Sequence, residues 1–177
     1  MKKTTLLLIL STFFLNAQSS IFEVIPEPNK DVSYVGNLNQ GEKVSDLSWA
    51  WSSQNACFPE TQKQKFTGNH VFFTGIIPTY SELIITVIPK DPKANFSLYA
   101  YQVGENKMPI VPDLNSCISC ETDHKWDRKK RGRTQDHTRT VSDLTALNNS
   151  YRVIIGVVGA EGLEEGEFTL VISTKSR

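Results

Sequence analysis

Cys117, Cys120, His124 and His137 follow a C-x2-C-x3-H-x12-H spacing within CISCETDHKWDRKKRGRTQDHTR, residues 117 to 139. All four are residue types that bind zinc, and the C-x2-C turn brings two sulfurs to one point. The second histidine fits less well, because finger-type sites place their histidines about 3–5 residues apart. A disulfide from Cys57 to either Cys117 or Cys120 competes for the same thiols, and would contribute about 2–4 kcal/mol by closing a long loop. A third use, a thiol redox pair, needs a helix N-terminus in a βαβ setting, which the surrounding sequence does not supply.

The same run carries RKKRGR at 128–133, five cations in six residues, next to Trp126. Between 121 and 139 there are seven Lys and Arg against four Asp and Glu. Trp126, Arg128, Lys129, Lys130 and Arg131 could therefore attract phosphate or a sulfated sugar and stack an aromatic or sugar ring. A solvated loop open to nicking by trypsin-like proteases is the plainer reading of the same residues. Asp136, His137 and Arg139 in DHTRT complete the candidate surface. Neighbours on an extended chain point to opposite sides, so Asp136, His137 and Thr138 do not form a catalytic triad by themselves. Asp136 and Arg139 are expected to pair with Arg133 or Glu121, fixing where the loop rejoins the fold. Asp91 and Asn95 with a carboxylate such as Glu161, from the turns DPKAN and EGLEEGE, would supply oxygens for calcium if those turns meet at one end of the molecule. Calcium takes about 6–8 oxygens.

The elements that must position these residues are β-strands. HVFFTGII, ELIITVIP, FSLYAYQV, YRVIIGVVG and EFTLVIS are rich in Val, Ile, Phe, Tyr and Thr and are punctuated by Gly, Pro, Asn and Asp. VSDLSWAW, with Leu47, Trp49 and Trp51 alternating, predicts a further strand with one buried face. The two tryptophans read as core, with a sugar-stacking platform as the alternative. VSDLTALNN allows a single helical turn. These runs predict an all-β fold, an antiparallel β-sandwich or jelly roll. Residues 104–139 form a long irregular insert in it, far beyond the median connection of about 4–6 residues.

MKKTTLLLILSTFFLNAQSS opens with two lysines and an apolar run from Leu6 to Leu15. That run is too short for the roughly 20 residues a membrane-spanning helix needs, so residues 1–18 read as a signal peptide cleaved after Ala17 or Gln18. Its composition resembles signals of the Bacteroidetes group. No lipid-anchoring cysteine lies near the cut. The mature chain is expected to be secreted, periplasmic or on the cell surface. Residues 19–43, with Pro26 and Pro28, read as an extended arm or edge strand, and 44–177 as one sandwich domain. Lys plus Arg and Asp plus Glu are equal at 19 each. The whole chain thus carries no field for nucleic acid, and any electrostatic role must be local.

The segment from His70 to Ser173 resembles the bacterial pre-peptidase C-terminal domain. The matching stretches are HVFFTGIIPTYSELIITVIP, FSLYAY, NNSYRVIIGVVG and GEFTLVIS. The resemblance implies a secreted β-sandwich module that accompanies proteases, is itself non-catalytic, has binding or chaperone-like roles and in some members binds calcium. The 104–139 insert is longer than that family's usual connection. Together these features predict a non-catalytic binding or adhesion module for an extracellular glycan or protein, with the insert as its variable surface. A structural or accessory protein of the bacterial cell envelope is the alternative, and a hydrolase or thiol redox enzyme a third possibility.

Overall fold

A computed structural model describes residues 21–109 and 111–177. The expected signal peptide lies outside the described residues. The described residues form ten strands: β1 (Ile21–Glu23), β2 (Asp31–Asn37), β3 (Glu42–Lys43), β4 (Asn69–Ile77), β5 (Ser81–Pro89), β6 (Phe96–Gly104), β7 (Ser119–Asp123), β8 (Arg139–Ala146), β9 (Tyr151–Gly159) and β10 (Glu167–Ser176). All five β-rich runs become strands, and the fold is the all-β sandwich the sequence predicts.

Two sheets make up the sandwich. The first has the order β1-β4-β9-β6-β7, with β3 also beside β4. The second runs β2-β10-β5-β8. Pairing is antiparallel except for β1 on β4. Residues 21–43 feed both sheets, and β2 is the edge of the second. Between the sheets lies an aliphatic core that includes Leu83, Ile85, Val87, Leu98, Val153, Ile155, Leu170 and Ile172, with Phe73, Phe96 and Phe168 among them.

The outer face of the first sheet is buried as well. Segments 44–66 and 111–118 fold across it and bring Trp49, Phe58, Phe66, Val111 and Leu114 onto Tyr99, Tyr101, Phe72 and Ile154 of the strands. Phe58 and Phe66 stack with ring centroids 3.8 Å apart. Gly156 lies beneath the Tyr99 ring, and a Cβ there would fall 2.3 Å from its Cζ, so glycine is what lets that ring lie flat on the sheet.

Two local expectations are corrected. Ser48–Trp51 is a 3₁₀ turn rather than a strand. Asp46 Oδ1 accepts from the Ser48 N–H at 2.8 Å, starting a turn where the alternation predicts extension. Leu47 and Trp49 are nonetheless buried, as a core assignment requires, while Trp51 is half-buried. VSDLTALNN supplies most of β8 instead of a helical turn. Its ladder with β5 shifts register between Leu83 and Ile85, and Asp143 has φ of 68°. That bulge separates Val141 from Leu144 by three residues, a helical spacing produced by an interrupted strand.

Candidate functional site

The insert yields one strand, β7, whose Cys120 pairs in register with Tyr101 of β6 and so faces the aromatic cover. There it meets Cys57. Cys57 and Cys120 form a disulfide with Cα atoms 5.2 Å apart, and Cys117 is left as a half-buried free thiol. Burial pushes the Cys117 thiol up, away from reactive thiolate. With Cys120 oxidised, the C-x2-C pair offers one thiol rather than two thiolates. Among the described residues no three His, Cys, Asp or Glu side chains gather as a metal would need.

Between Asp123 and Arg139 the chain leaves the sheets in a fifteen-residue excursion, 124–138, held at both roots. At the first root, Asp127 accepts from Gln62 Nε2 at 2.8 Å and pairs with the Lys65 ammonium at 3.0 Å. These two bonds, led by Gln62, hold the Asp127 carboxyl below its ordinary range. His124 sets its ring edge against Phe66, with centroids 5.9 Å apart. At the second root, Asp123 Oδ2 accepts from the Thr140 N–H at 2.9 Å.

Arg139, expected on the binding surface, is a core residue, 2% exposed. Its Nε donates to Phe96 O at 2.9 Å, one terminal nitrogen donates to Thr138 O at 2.9 Å, and the other reaches Asn95 Oδ1 at 3.4 Å and His137 Nδ1 at 3.0 Å. The expected ion pairs with the insert are therefore not made. Arg139 turns inward because carbonyl and amide oxygens under β6 can satisfy its fork of donors without a carboxylate. Asp136 instead caps the loop, accepting from the Thr138 N–H at 3.0 Å. His137 has φ of 64°, and its pKa is lowered, first by burial and then by the Arg139 and Lys125 charges. The neutral ring accepts from Arg139 through Nδ1.

The excursion folds over a cavity of about 490 Å³ whose wall includes Trp126, Arg128, Lys129, Lys130, Arg133 and His137. Lys130 Nζ sits 4.2 Å from the Trp126 ring centroid. Gln135 Oε1 accepts from the Trp126 N–H at 3.2 Å and ties the two limbs of the loop. The structure thus gathers Trp126, Arg128, Lys129, Lys130 and His137 around one space, while Arg131 is exposed outside that wall and Asp136 belongs to the loop's own turn. Lys125, Arg133, Thr134 and Gln135 join the wall. Gln62 and Lys65, which position it, come from a 3₁₀ segment some sixty residues earlier, and nothing in ETQKQKF marks them for that role.

The two turns nominated for calcium do meet. Ala160 N donates to Asn95 O at 2.9 Å, and Lys90 N donates to Glu167 O at 2.9 Å. Their side chains do not converge on one point. Asp91 Oδ1 accepts from the Lys93 N–H at 2.9 Å and Asn95 Oδ1 faces Arg139, while Glu161 is exposed with φ of 55°.

No family model and no curated protein matches this chain. Two solved structures are similar to it. One is PliG of Aeromonas hydrophila, a periplasmic inhibitor of g-type lysozyme, at 10% identity over 88% of this chain and 99% of that one, with a TM-score of 0.38. The other is the pre-peptidase C-terminal domain of collagenase from Bacillus anthracis, at 10% identity over 90% of this chain and 99% of that one, with a TM-score of 0.41. The second belongs to the family whose strand pattern the sequence resembles. Among the described residues no helix is long and apolar enough to cross a membrane.

Proposed function

We propose that this protein is a secreted, non-catalytic recognition module whose binding surface is the 124–138 excursion, and that its ligand is an anionic extracellular glycan or an acidic protein segment. The cation-lined cavity over Trp126 carries this reading. Its one carboxylate, Asp127, is already neutralised by Lys65, which leaves the cations of the wall in excess. The groups that could serve chemistry are engaged otherwise: His137 Nδ1 accepts from Arg139, and the Cys117 thiol is pushed up rather than down. A disulfide and a signal-like N-terminus both fit an extracellular or periplasmic site of action.

Binding to dextran sulfate and to uncharged dextran, measured by titration calorimetry and Trp126 fluorescence at several salt concentrations, tests this. The sulfated polymer is expected to bind, with affinity falling as salt rises. Replacing Arg128, Lys129 and Arg133 with Ala is expected to weaken it about tenfold or more, equivalent to about 1.4 kcal/mol. Equal binding of both polymers, or unchanged binding by the triple variant, sinks the proposal. The second reading, an accessory protein of the cell envelope, is favoured by Val35 and Ile88, which stand exposed on the uncovered face of the second sheet.

A further inference from the structure

We propose that Arg131–Gly132 is a processing site for a protease with a carboxylate at the base of its primary pocket, and that the cut protein stays assembled. Asp127 to Thr134 are eight consecutive exposed residues with no strand or helix. A protease must draw several residues into extended form across its cleft, and a segment without sheet pairing yields most readily. Among the described residues, Lys63 and Lys175 stand in a 3₁₀ segment and a strand, and Lys90 and Lys93 in the short connection between β5 and β6. Arg131 instead lies in this longer stretch, in a turn closed by the single Arg133 N–H to Lys130 O bond of 3.2 Å. Lys107, also exposed outside any strand or helix, is its nearest rival.

Within RKKRGR the bonds are not equivalent. Lys130 is held against Trp126, and Lys130 and Arg133 both belong to the cavity wall. Arg131 is exposed and outside that wall. Gly132 follows it at φ of 71°, and nothing lies within 4 Å of where its Cβ would be. A free arginine followed by an open, side-chain-less residue gives the least obstructed bond of the run. Hydrolysis needs only water: its oxygen adds to the Arg131 carbonyl carbon, the C–N bond breaks, and the Gly132 nitrogen leaves as an amine opposite a new carboxylate.

Topology decides the fate of the cut chain. The C-terminal piece carries β8, β9 and β10. Strand β9 is held between β4 and β6, and β10 between β2 and β5, all four in the N-terminal piece. The pieces therefore share both sheets. The disulfide does not link them, because Cys57 and Cys120 both precede the cut. Cleavage parts Lys130 from Arg133 and opens the cavity wall while the sandwich persists. The proposal does not depend on what the cavity binds.

Limited digestion of the folded, disulfide-intact protein with trypsin as the probe, followed by intact mass, size exclusion and circular dichroism, tests both halves. The first cut is expected after Arg131. The pieces should co-elute with the uncut protein, keep its β-sheet spectrum, and separate in denaturant without reductant. In a variant with Arg128, Lys129, Lys130, Arg131 and Arg133 all changed to Gln, the first cut is expected about tenfold or more slower, equivalent to about 1.4 kcal/mol of local opening. A first cut elsewhere, such as after Lys107, overturns the site. Fragments that part under native conditions overturn the retained assembly.

Discussion

The outer face of the first sheet lies under a layer of aromatic rings, whereas the outer face of the second meets solvent. Their strands record this difference. Strand β6 is buried at every position but its last, and β9 is buried from Val153 onward. Strands β5 and β10 instead alternate buried and partly exposed residues. A strand covered on both faces needs apolar side chains on both, and a strand covered on one face needs them at every second position. FSLYAYQV meets the first demand by sending Leu98 and Ala100 to the inner core and Tyr99 and Tyr101 to the outer one. EFTLVIS meets the second, with Phe168, Leu170 and Ile172 inward and Thr169, Val171 and Ser173 outward. The insert belongs to the covered side, where Lys65 and Phe66 of the cover anchor its root.

If the aromatic cover is part of the folded core, deleting a ring from it should cost as much as a deletion between the sheets. Phe66 is fully buried and stacks on Phe58. Phe66→Ala is expected to destabilise by about 3–5 kcal/mol, read from urea denaturation. A loss under about 1 kcal/mol would mean that the cover is a loose flap. The disulfide probes the same layer from its rim. It closes a sequence separation of 63 residues, for which loop entropy alone corresponds to about 4 kcal/mol. Changing Cys57 and Cys120 together to Ser is expected to lower stability by an amount approaching that, with Tyr101 and Trp49 fluorescence changing before β-sheet signal is lost.

Much of this architecture is legible in the sequence, and the failures have particular causes. The five strands with unbroken patterns are readable because their periodicity is set by burial within the strand itself. β7 escapes notice because SCETD is a partly exposed edge with little apolar content. β8 escapes because its bulge imitates a helical spacing. The cover is foreshadowed in FSLYAYQV and YRVIIGVVG, whose apolar residues occupy both faces and demand a third layer. Its composition is only partly so: the alternation in VSDLSWAW marks Trp49 as core, whereas Phe58 and Phe66 sit in a bend and a 3₁₀ segment without such a pattern. Among the site residues, Trp126 and its basic neighbours are apparent as a local cluster. Arg139 looks like one more surface charge. Its burial depends on Phe96 O and Asn95 Oδ1, over forty residues away in sequence. Cysteine pairing likewise depends on which thiol the β6–β7 register turns toward Cys57.

A buried histidine makes the covered side sensitive to acid. His70, on β4, faces the cover, its Nε2–H donating to Phe66 O at 3.0 Å and its Nδ1 accepting from the Tyr99 hydroxyl at 3.1 Å. The carbonyl can only accept, which fixes this tautomer. Burial lowers its pKa from 6.5 to about 4, against a smaller opposing effect of the Phe66 carbonyl. Above pH 6.5 the ring is neutral in both states and stability is at its full value. As pH falls from 6.5 toward 4, the unfolded chain binds a proton that the fold excludes, so stability declines by about 3 kcal/mol. His70→Gln is expected to remove this component of the acid slope. An unchanged slope would place the acid sensitivity among the carboxylates instead.

The bare face should respond least to substitution. On it, Val35, Thr169 and Ile88 stand side by side across β2, β10 and β5, and Ser33, Val171, Thr86 and Thr140 form the next row. Val35 is 81% exposed, so truncating it removes almost no buried surface. Val35→Thr and Ile88→Thr keep β-branching, the property that suits these residues to a pleated surface, and each is expected to shift stability by no more than about 0.5 kcal/mol. The double variant should show the sum, because the β10 strand separates the two sites. A loss well above that sum, especially one that grows with protein concentration, would show that this face is covered in solution by another copy of the chain. The contrast between a covered and a bare sheet would then hold for the single chain but fail for the protein as it exists.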